Sequence, residues 1–343
     1  MSKQAVWKKA LKVVYIILVV LSVLIVGAFL YVKYGIRPPD LPDPTPPAIS
    51  KKPDDPGKPG TSASPDPQDS ETPEQPGRQR REYTYTCLIF GEDAVSGSTD
   101  TIMAATFDVP NRKIGLVSVP RDTKVRTDLN QASNKINAAY AMGGAEQLKQ
   151  EMEELLGIPI DFYVKIRLTA FQRLVDEVGG VWFDVPFDMK YDDPTQDLHI
   201  DQPAGYRKLS GKDAMEVVRY RQDNDGNDSF GDTGRAGVQQ AFLKAMLSQV
   251  ISNAKLENIP ALVDVLLNYV DTNASLNDML YFGKSLVGMD IDSAVTTGTL
   301  PAEWVYPFMI VDKEKALEVI NTLLSPYGAD DPITEDMVEF LDA

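Results

Sequence analysis

The 343-residue chain has one cysteine, Cys87, and one histidine, His199. A single thiol excludes an intrachain disulfide, and with one imidazole beside it no zinc cluster can be assembled. Nucleophilic chemistry of the Ser-His or Cys-His kind is left without a partner other than His199. Cys87 lies in the apolar run CLIF and reads as a buried structural thiol, and His199, in a polar stretch, reads as a surface residue. Positive charge is scarce too: 34 lysines and arginines face 50 aspartates and glutamates, a formal net charge of -16. That balance argues against nucleic acid as a partner, since nonspecific affinity for it comes from basic surface that displaces counterions.

Long apolar runs are equally rare, and the prominent one is Val13–Val32, uncharged and bounded by Lys12 and Lys33. About twenty helical residues at ~1.5 Å each match a hydrocarbon core of about 30 Å, so residues 13–32 are expected to span a membrane. No small-residue cleavage site is obvious in GAFLYVKYG, which favours a retained anchor. Lys3, Lys8, Lys9 and Lys12 precede the span; residues 1–12 are therefore expected in the cytoplasm and everything after Lys33 outside the membrane. Residues 33–82 are proline-rich and otherwise mostly polar, a disordered tether able to carry a domain on the order of 100 Å from the bilayer.

From about residue 83 to 343 the pattern changes. YTYTCLIFG, TIMAATFDV and KIGLVSV read as short strands, the last two joined as a hairpin by PNR. Helical spacing follows in Gly143–Gly157, then the strand FYVKI, the helix LTAFQRLVDEVGG ending on Gly179 and Gly180, and the strand WFDV. LSGKDAMEVVRYR starts on a Ser210 cap, and further helices are expected over Gly234–Asn253, Ile259–Val270 and Leu276–Val287, with a late strand and a closing helix. The alternation predicts one α/β domain, a three-layer α-β-α arrangement around a mixed central sheet.

Within this acidic chain, the segment from Val217 to Gln240 gathers Arg219, Arg221 and Arg235. Guanidinium groups grip phosphate oxygens in bidentate fashion, so this is a candidate anion site; solvated ion pairs with Asp223, Asp225 and Asp228 are the plainer alternative. DNDGND is not a calcium loop, because Gly226 is misplaced for an EF-hand and no glutamate closes it.

GEDAVSGSTDTIMAATFD, GLVSVPRDTKV, NKINAAYAMGG, LSGKDAMEVVRYR and GDTGRAGVQQ occur in the order and at roughly the spacing of the LytR-CpsA-Psr family, which the chain resembles from about Thr84 to Leu300. The resemblance implies an extracytoplasmic phosphotransferase that moves a glycopolymer, of the wall teichoic acid or capsule type, from undecaprenyl pyrophosphate to a peptidoglycan hydroxyl. It implies that Asp93 and Asp100 hold Mg²⁺, with Mn²⁺ as the alternative ion, and that Arg121, Lys135, Arg219, Arg221 and Arg235 bind the pyrophosphate. Asp122 then orients Arg121 or accepts the acceptor's proton, and Gln239 or Gln240 positions the sugar or Arg235. An apolar tunnel for the polyprenyl chain is expected from Ile102, Ala104, Phe171, Val175, Phe242 and Met246, which as plain core residues would look the same. Two departures stand out: AVSGST lacks the loop arginine of many relatives, and Val238 replaces the second arginine of their GRxxRQQ motif. The rival readings are a polyprenyl-phosphate-binding regulatory protein without catalysis and a simple prenyl pyrophosphatase.

Overall fold

The computed structural model describes residues 35–41, 78–92, 99–126, 134–194, 198–224, 231–252 and 270–342. The expected membrane span, most of the tether, Asp93 with the AVSGST loop as far as Ser98, the DNDGND loop from Asp225 on and nearly all of the Ile259–Val270 helix lie outside these residues. No helix among the described residues is long and apolar enough to cross a membrane.

The chain forms two compact units. The smaller joins residues 35–40 to Ala274–Val287, where the amide of Asn277 donates to the Arg37 carbonyl at 3.0 Å. The larger is built on a six-stranded sheet. β1 (Thr84–Glu92), β2 (Thr99–Asp108) and β3 (Lys113–Ser118) form an antiparallel meander, with the expected hairpin closing at the Asp108–Lys113 pair. β4 (Phe162–Ile166) lies parallel to β1 and carries the antiparallel β9 (Val270–Thr272), while β10 (Val295–Thr299) lies parallel to β3 at the other edge. The order β10-β3-β2-β1-β4-β9 makes the sheet mixed, as the alternating sequence pattern predicts.

Period-two alternation decides what each face of the sheet meets. Leu88, Phe90, Ile102, Ala104 and Val117 point to one side, into a core with Ile136, Leu148, Met152 and Leu155 of α1 (Ile136–Leu156) and with Ala316 of α5 (Lys313–Val319) and its continuation Ile320–Leu324. The packing there is tight enough that a Cβ on Gly115 would lie 1.8 Å from the Leu323 carbonyl oxygen. α1 begins earlier than its amphipathic stretch suggests and is broken at Gly143–Gly144, where Gly144 takes φ 73°, a conformation that favours glycine.

The opposite face carries α4 (Gly231–Ser252). A second core joins α4 through Val238 and Phe242 to α2 (Leu168–Glu177), α3 (Gly211–Arg219) and the paired ribbons β5–β8 (Val181–Val185, Gly205–Leu209) and β6–β7 (Met189–Asp193, Leu198–Gln202). Ser210 caps α3 in a full capping box with Asp213, as its sequence position suggests. β6, β7 and β8 are absent from the sequence reading, and the single late strand expected there resolves into β10, β11 (Ala302–Val305) and β12 (Phe308–Val311).

The folded part reaches back into residues assigned to the tether. The Arg80 guanidinium donates to both carboxylate oxygens of the buried Asp161, one of the bonds at 2.7 Å, and its Nε donates to the Thr84 carbonyl at 2.8 Å. Arg78 bonds Asp331 and stacks over Tyr327. Composition alone marks these residues as tether because their partners lie far away in sequence.

Candidate functional site

The ends of β3 and β10 and the start of β2 converge at one end of the strands, where α/β folds tend to place ligand sites. A cavity of about 310 Å³ opens there, lined by Asp100 and Thr101 of β2, Ser118 of β3, the segment Val119–Asp122, Arg235 and Gln239 of α4, Thr299, Trp304 and Met309.

Arg121 is fixed by its backbone before its side chain does anything. Its carbonyl accepts from the Asn137 amide at 3.1 Å, and the Thr123 carbonyl accepts from the Ile136 amide at 2.9 Å, so this loop satisfies amides that the first turn of α1 leaves open. From the other side, the Met309 amide donates to the Asp122 carbonyl at 2.8 Å and the Lys124 amide to the Met309 carbonyl at 3.0 Å, stitching β12 to the same loop. The loop is held between a helix start and a strand.

On this frame the charged side chains alternate in sign. Arg121 Nη1 donates to Asp100 Oδ1 at 2.6 Å, its Nε lies 3.8 Å from Asp122 Oδ2, and Lys135 Nζ donates to Asp122 Oδ1 at 2.8 Å. Arg235, 7% exposed, reaches across from α4 and donates to the backbone carbonyl of Asp100 at 3.4 Å. Gln239, one helical turn on, donates to the Val218 carbonyl at 3.0 Å and so ties the cavity wall to the end of α3, next to Arg219. Gln240 is a buried clamp: its Nε2 donates to Ser118 Oγ at 2.7 Å and to the Gly298 carbonyl at 2.6 Å, holding α4 to β3 and β10.

The structure therefore brings together Asp100, Arg121, Asp122, Arg235 and Gln239 on one cavity, with Lys135 attached through Asp122. Arg219 ends α3 and Arg221 follows it, both half-buried; neither is on the cavity lining, although the Gly231 amide that opens α4 donates to the Arg221 carbonyl at 3.1 Å. Sequence reasoning misses Trp304, Met309, Ser118 and Thr299. The Tyr306–Pro307 break between two apolar runs was the available signal for the first two.

Beside the charged cavity lies a small apolar cleft of about 120 Å³, and the two share Thr101 and Gln239 as walls. Phe171, Phe242 and Met246 line it with Met103, Ile166 and Leu243. Ala104 and Val175, expected in a lipid tunnel, do not line it: Ala104 faces the α1 core, one residue out of phase with Met103, and Val175 is fully buried in the second core. Ile102 belongs to the α1 core and touches the charged cavity rather than the cleft.

A divalent cation fits what is visible of the donor set. Asp100 supplies hard carboxylate oxygens at the cavity wall, the kind that Mg²⁺ combines with phosphate oxygens and water, and the second expected ligand, Asp93, lies outside the described residues. Among the described residues no group of three or more acidic, histidine or cysteine side chains forms a closed cage. His199 is exposed and bonded to Asp192, as a surface residue would be, and half-buried Cys87 has its thiol pushed up to about 12 by burial, with the Asp161 charge adding.

Comparison with known proteins agrees with this architecture. Over 209 residues the chain is 31% identical to the polyisoprenyl-teichoic acid–peptidoglycan teichoic acid transferase TagV of Bacillus subtilis, covering 59% of this chain and 52% of that protein, about half its length. It is 27% identical to the regulatory protein MsrR of Staphylococcus aureus over 266 residues, 76% of this chain and 77% of the relative. The crystal structure of B. subtilis TagV superposes with a TM-score of 0.60 at 28% identity, covering 70% of this chain and 95% of that one. A family model described as the LytR_cpsA_psr family matches residues 58–324. With the fold, the motif order and that match in agreement, the chain belongs to the LytR-CpsA-Psr family.

Proposed function

We propose that this protein is a phosphotransferase anchored by residues 13–32, working outside the membrane to move a glycopolymer phosphate from a polyprenyl pyrophosphate to a peptidoglycan hydroxyl. The observation that carries the reading is the adjacency of two unlike spaces: a cavity flanked by Arg121 and Arg235, and an apolar cleft sharing its Thr101 and Gln239 walls. A pyrophosphate joined to a hydrocarbon chain needs that pairing. TagV, named for transfer of teichoic acid to peptidoglycan, supports the choice of polymer and acceptor.

In the reaction the acceptor hydroxyl oxygen attacks the phosphorus bound to the sugar, a phosphodiester forms, and the P–O–P bond breaks to release polyprenyl phosphate. Little covalent chemistry falls to the protein, so its task is to hold the phosphates in line and neutralise developing charge. Arg121 and Arg235 bind the non-bridging oxygens and Lys135 stands behind them, while Arg219 and Arg221, off the cavity lining at the end of α3, form the outer part of the cradle. Asp122, facing both Arg121 and Lys135, positions these cations and is the described carboxylate of the cavity left to take the hydroxyl proton. When bound, Mg²⁺ held by Asp93 and Asp100 would neutralise charge on the departing phosphate. The cleft holds only a short stretch of hydrocarbon as it stands, and Met246 and Met103 are adaptable side chains whose movement would lengthen it.

The test is transfer by the full chain from a lipid-pyrophosphate glycan to peptidoglycan with Mg²⁺. Arg121→Ala removes charge-assisted contacts to the phosphates of about 1.5–3 kcal/mol each and should lower kcat/KM about a hundredfold or more. Binding without release of lipid phosphate would instead point to the regulatory reading. Free phosphate without a glycan linkage would point to a pyrophosphatase.

A further inference from the structure

The hairpin β11–β12 places large apolar side chains in solvent beside the charged cavity: Trp304 is 56% exposed and Tyr306 85%, with ring centroids 6.3 Å apart at 74°. Exposed aromatics of this size cost hydration unless a ligand covers them. Trp304 is also a wall of the cavity, and Lys135 Nζ lies 5.9 Å from its ring centroid while bonded to Asp122. The hairpin cannot swing freely, because Met309, paired with Trp304, is bonded on both sides to the loop that carries Arg121.

We propose that Trp304, braced edge-on by Tyr306, is a stacking platform for the pyranose ring attached to the phosphate in the cavity. A sugar leaving an anion site has one apolar C–H face, and an indole at the mouth is its complement. The inference rests on the anion-cavity reading above. A membrane headgroup layer is the competing occupant of exposed Trp and Tyr. The local charge disfavours it: the exposed neighbour is the acidic Glu303, Lys124 is bonded to the Asp342 carbonyl, and Lys135 is paired with Asp122.

The test measures binding of farnesyl pyrophosphate and of the same pyrophosphate carrying N-acetylglucosamine to the full-length chain in detergent. Trp304→Ala should weaken the sugar-bearing probe about five- to tenfold and leave the sugarless probe within twofold, with Trp304→Phe in between. Equal losses for both probes in Trp304→Phe, or no loss in Trp304→Ala, overturn the platform while leaving the anion cavity intact. If the unsubstituted chain binds neither probe, or if Arg121→Ala binds both as well as it does, the cavity reading fails and the platform falls with it. Uridine diphosphate is a third arm: Trp304 dependence for it alone would assign the ring to a base instead of a sugar. In liposomes, with Trp7 and Trp182 replaced by Phe, quenching of Trp304 by brominated lipid would assign it to the membrane and also overturn the proposal.

Discussion

Gln240 offers the sharpest test of how the cavity is held open. Its amide nitrogen donates to Ser118 Oγ and to the Gly298 carbonyl at 2.7 and 2.6 Å, with the side chain 6% exposed and Ser118 4%. Gln240→Met keeps most of the volume and removes both donations. An acceptor stranded away from water costs about 1–3 kcal/mol; Ser118 can turn its own hydroxyl elsewhere and takes the low end, so the whole substitution should cost about 3 kcal/mol. Ser118→Ala alone removes one acceptor and leaves Gln240 bonded to Gly298, a loss of about 1 kcal/mol.

If the contact is a real clamp, the two changes cannot add, because the second removes the group that the first strands. The double substitution should lose about 2.5 kcal/mol and not the additive figure of about 4. Urea denaturation of the full chain in detergent, followed by tryptophan fluorescence, gives all three values. Additive losses, or a loss below about 0.5 kcal/mol for Gln240→Met, would mean that α4 is held to the sheet by apolar packing and that the glutamine is incidental.

Two further outcomes concern stability. Arg80→Ala leaves the buried Asp161 carboxylate, among the described residues, with the Thr86 amide and hydroxyl at 2.7 and 2.8 Å, so the domain should lose about 3 kcal/mol by the same denaturation assay; a loss within about 0.5 kcal/mol would place residues 78–82 functionally in the tether. Cys87 should resist iodoacetamide at pH 8 in the native chain and react once unfolded, since burial raises its native pKa to about 12. With the native value raised, the unfolded chain loses its thiol proton first. The stability Cys87 contributes is therefore whole below about pH 8.5 and is lost as pH rises toward 12, so Cys87→Ala should make the alkaline slope shallower while the part due to Tyr163 and Tyr327, whose native values burial also raises, remains.

The central strands were legible because burial on both faces leaves unbroken apolar runs, as in CLIF of β1, and Ser210 was legible as a cap because capping is local chemistry. β6, β7 and β8 escaped because each is half polar: in LHIDQ only Leu198, Ile200 and Gln202 turn inward, which reads as loop until the partner strand is known. The site divides in the same way. Asp100, Arg121, Lys135 and Arg235 follow from motif order. Trp304 does not, since it reaches the cavity through the pairing of β11 with β12 and of Met309 with the Arg121 loop, contacts between residues nearly two hundred positions apart. Arg80 is hidden for the same reason, its partner being Asp161.

The Val238 departure acquires a physical meaning from the phase of α4. Arg235 and Gln239 are four residues apart and share the cavity face; Val238 and Phe242, also four apart, share the face buried against Val217 and Tyr220. Position 238 is thus part of the second core here, and a guanidinium there would have to leave an apolar cluster to reach the phosphates. The described charged lining of the cavity is Arg121 and Arg235 against Asp100 and Asp122, which is close to neutral before Lys135 is counted. A pyrophosphate entering a nearly neutral cavity gains little from the protein's net charge and must be held by directed hydrogen bonds and by whatever cation accompanies it. On the proposed reading, the missing second arginine therefore shifts the burden of neutralising the leaving phosphate from the helix to the metal, and affinity for the donor should follow Mg²⁺ concentration more steeply than in relatives that keep an arginine at this position.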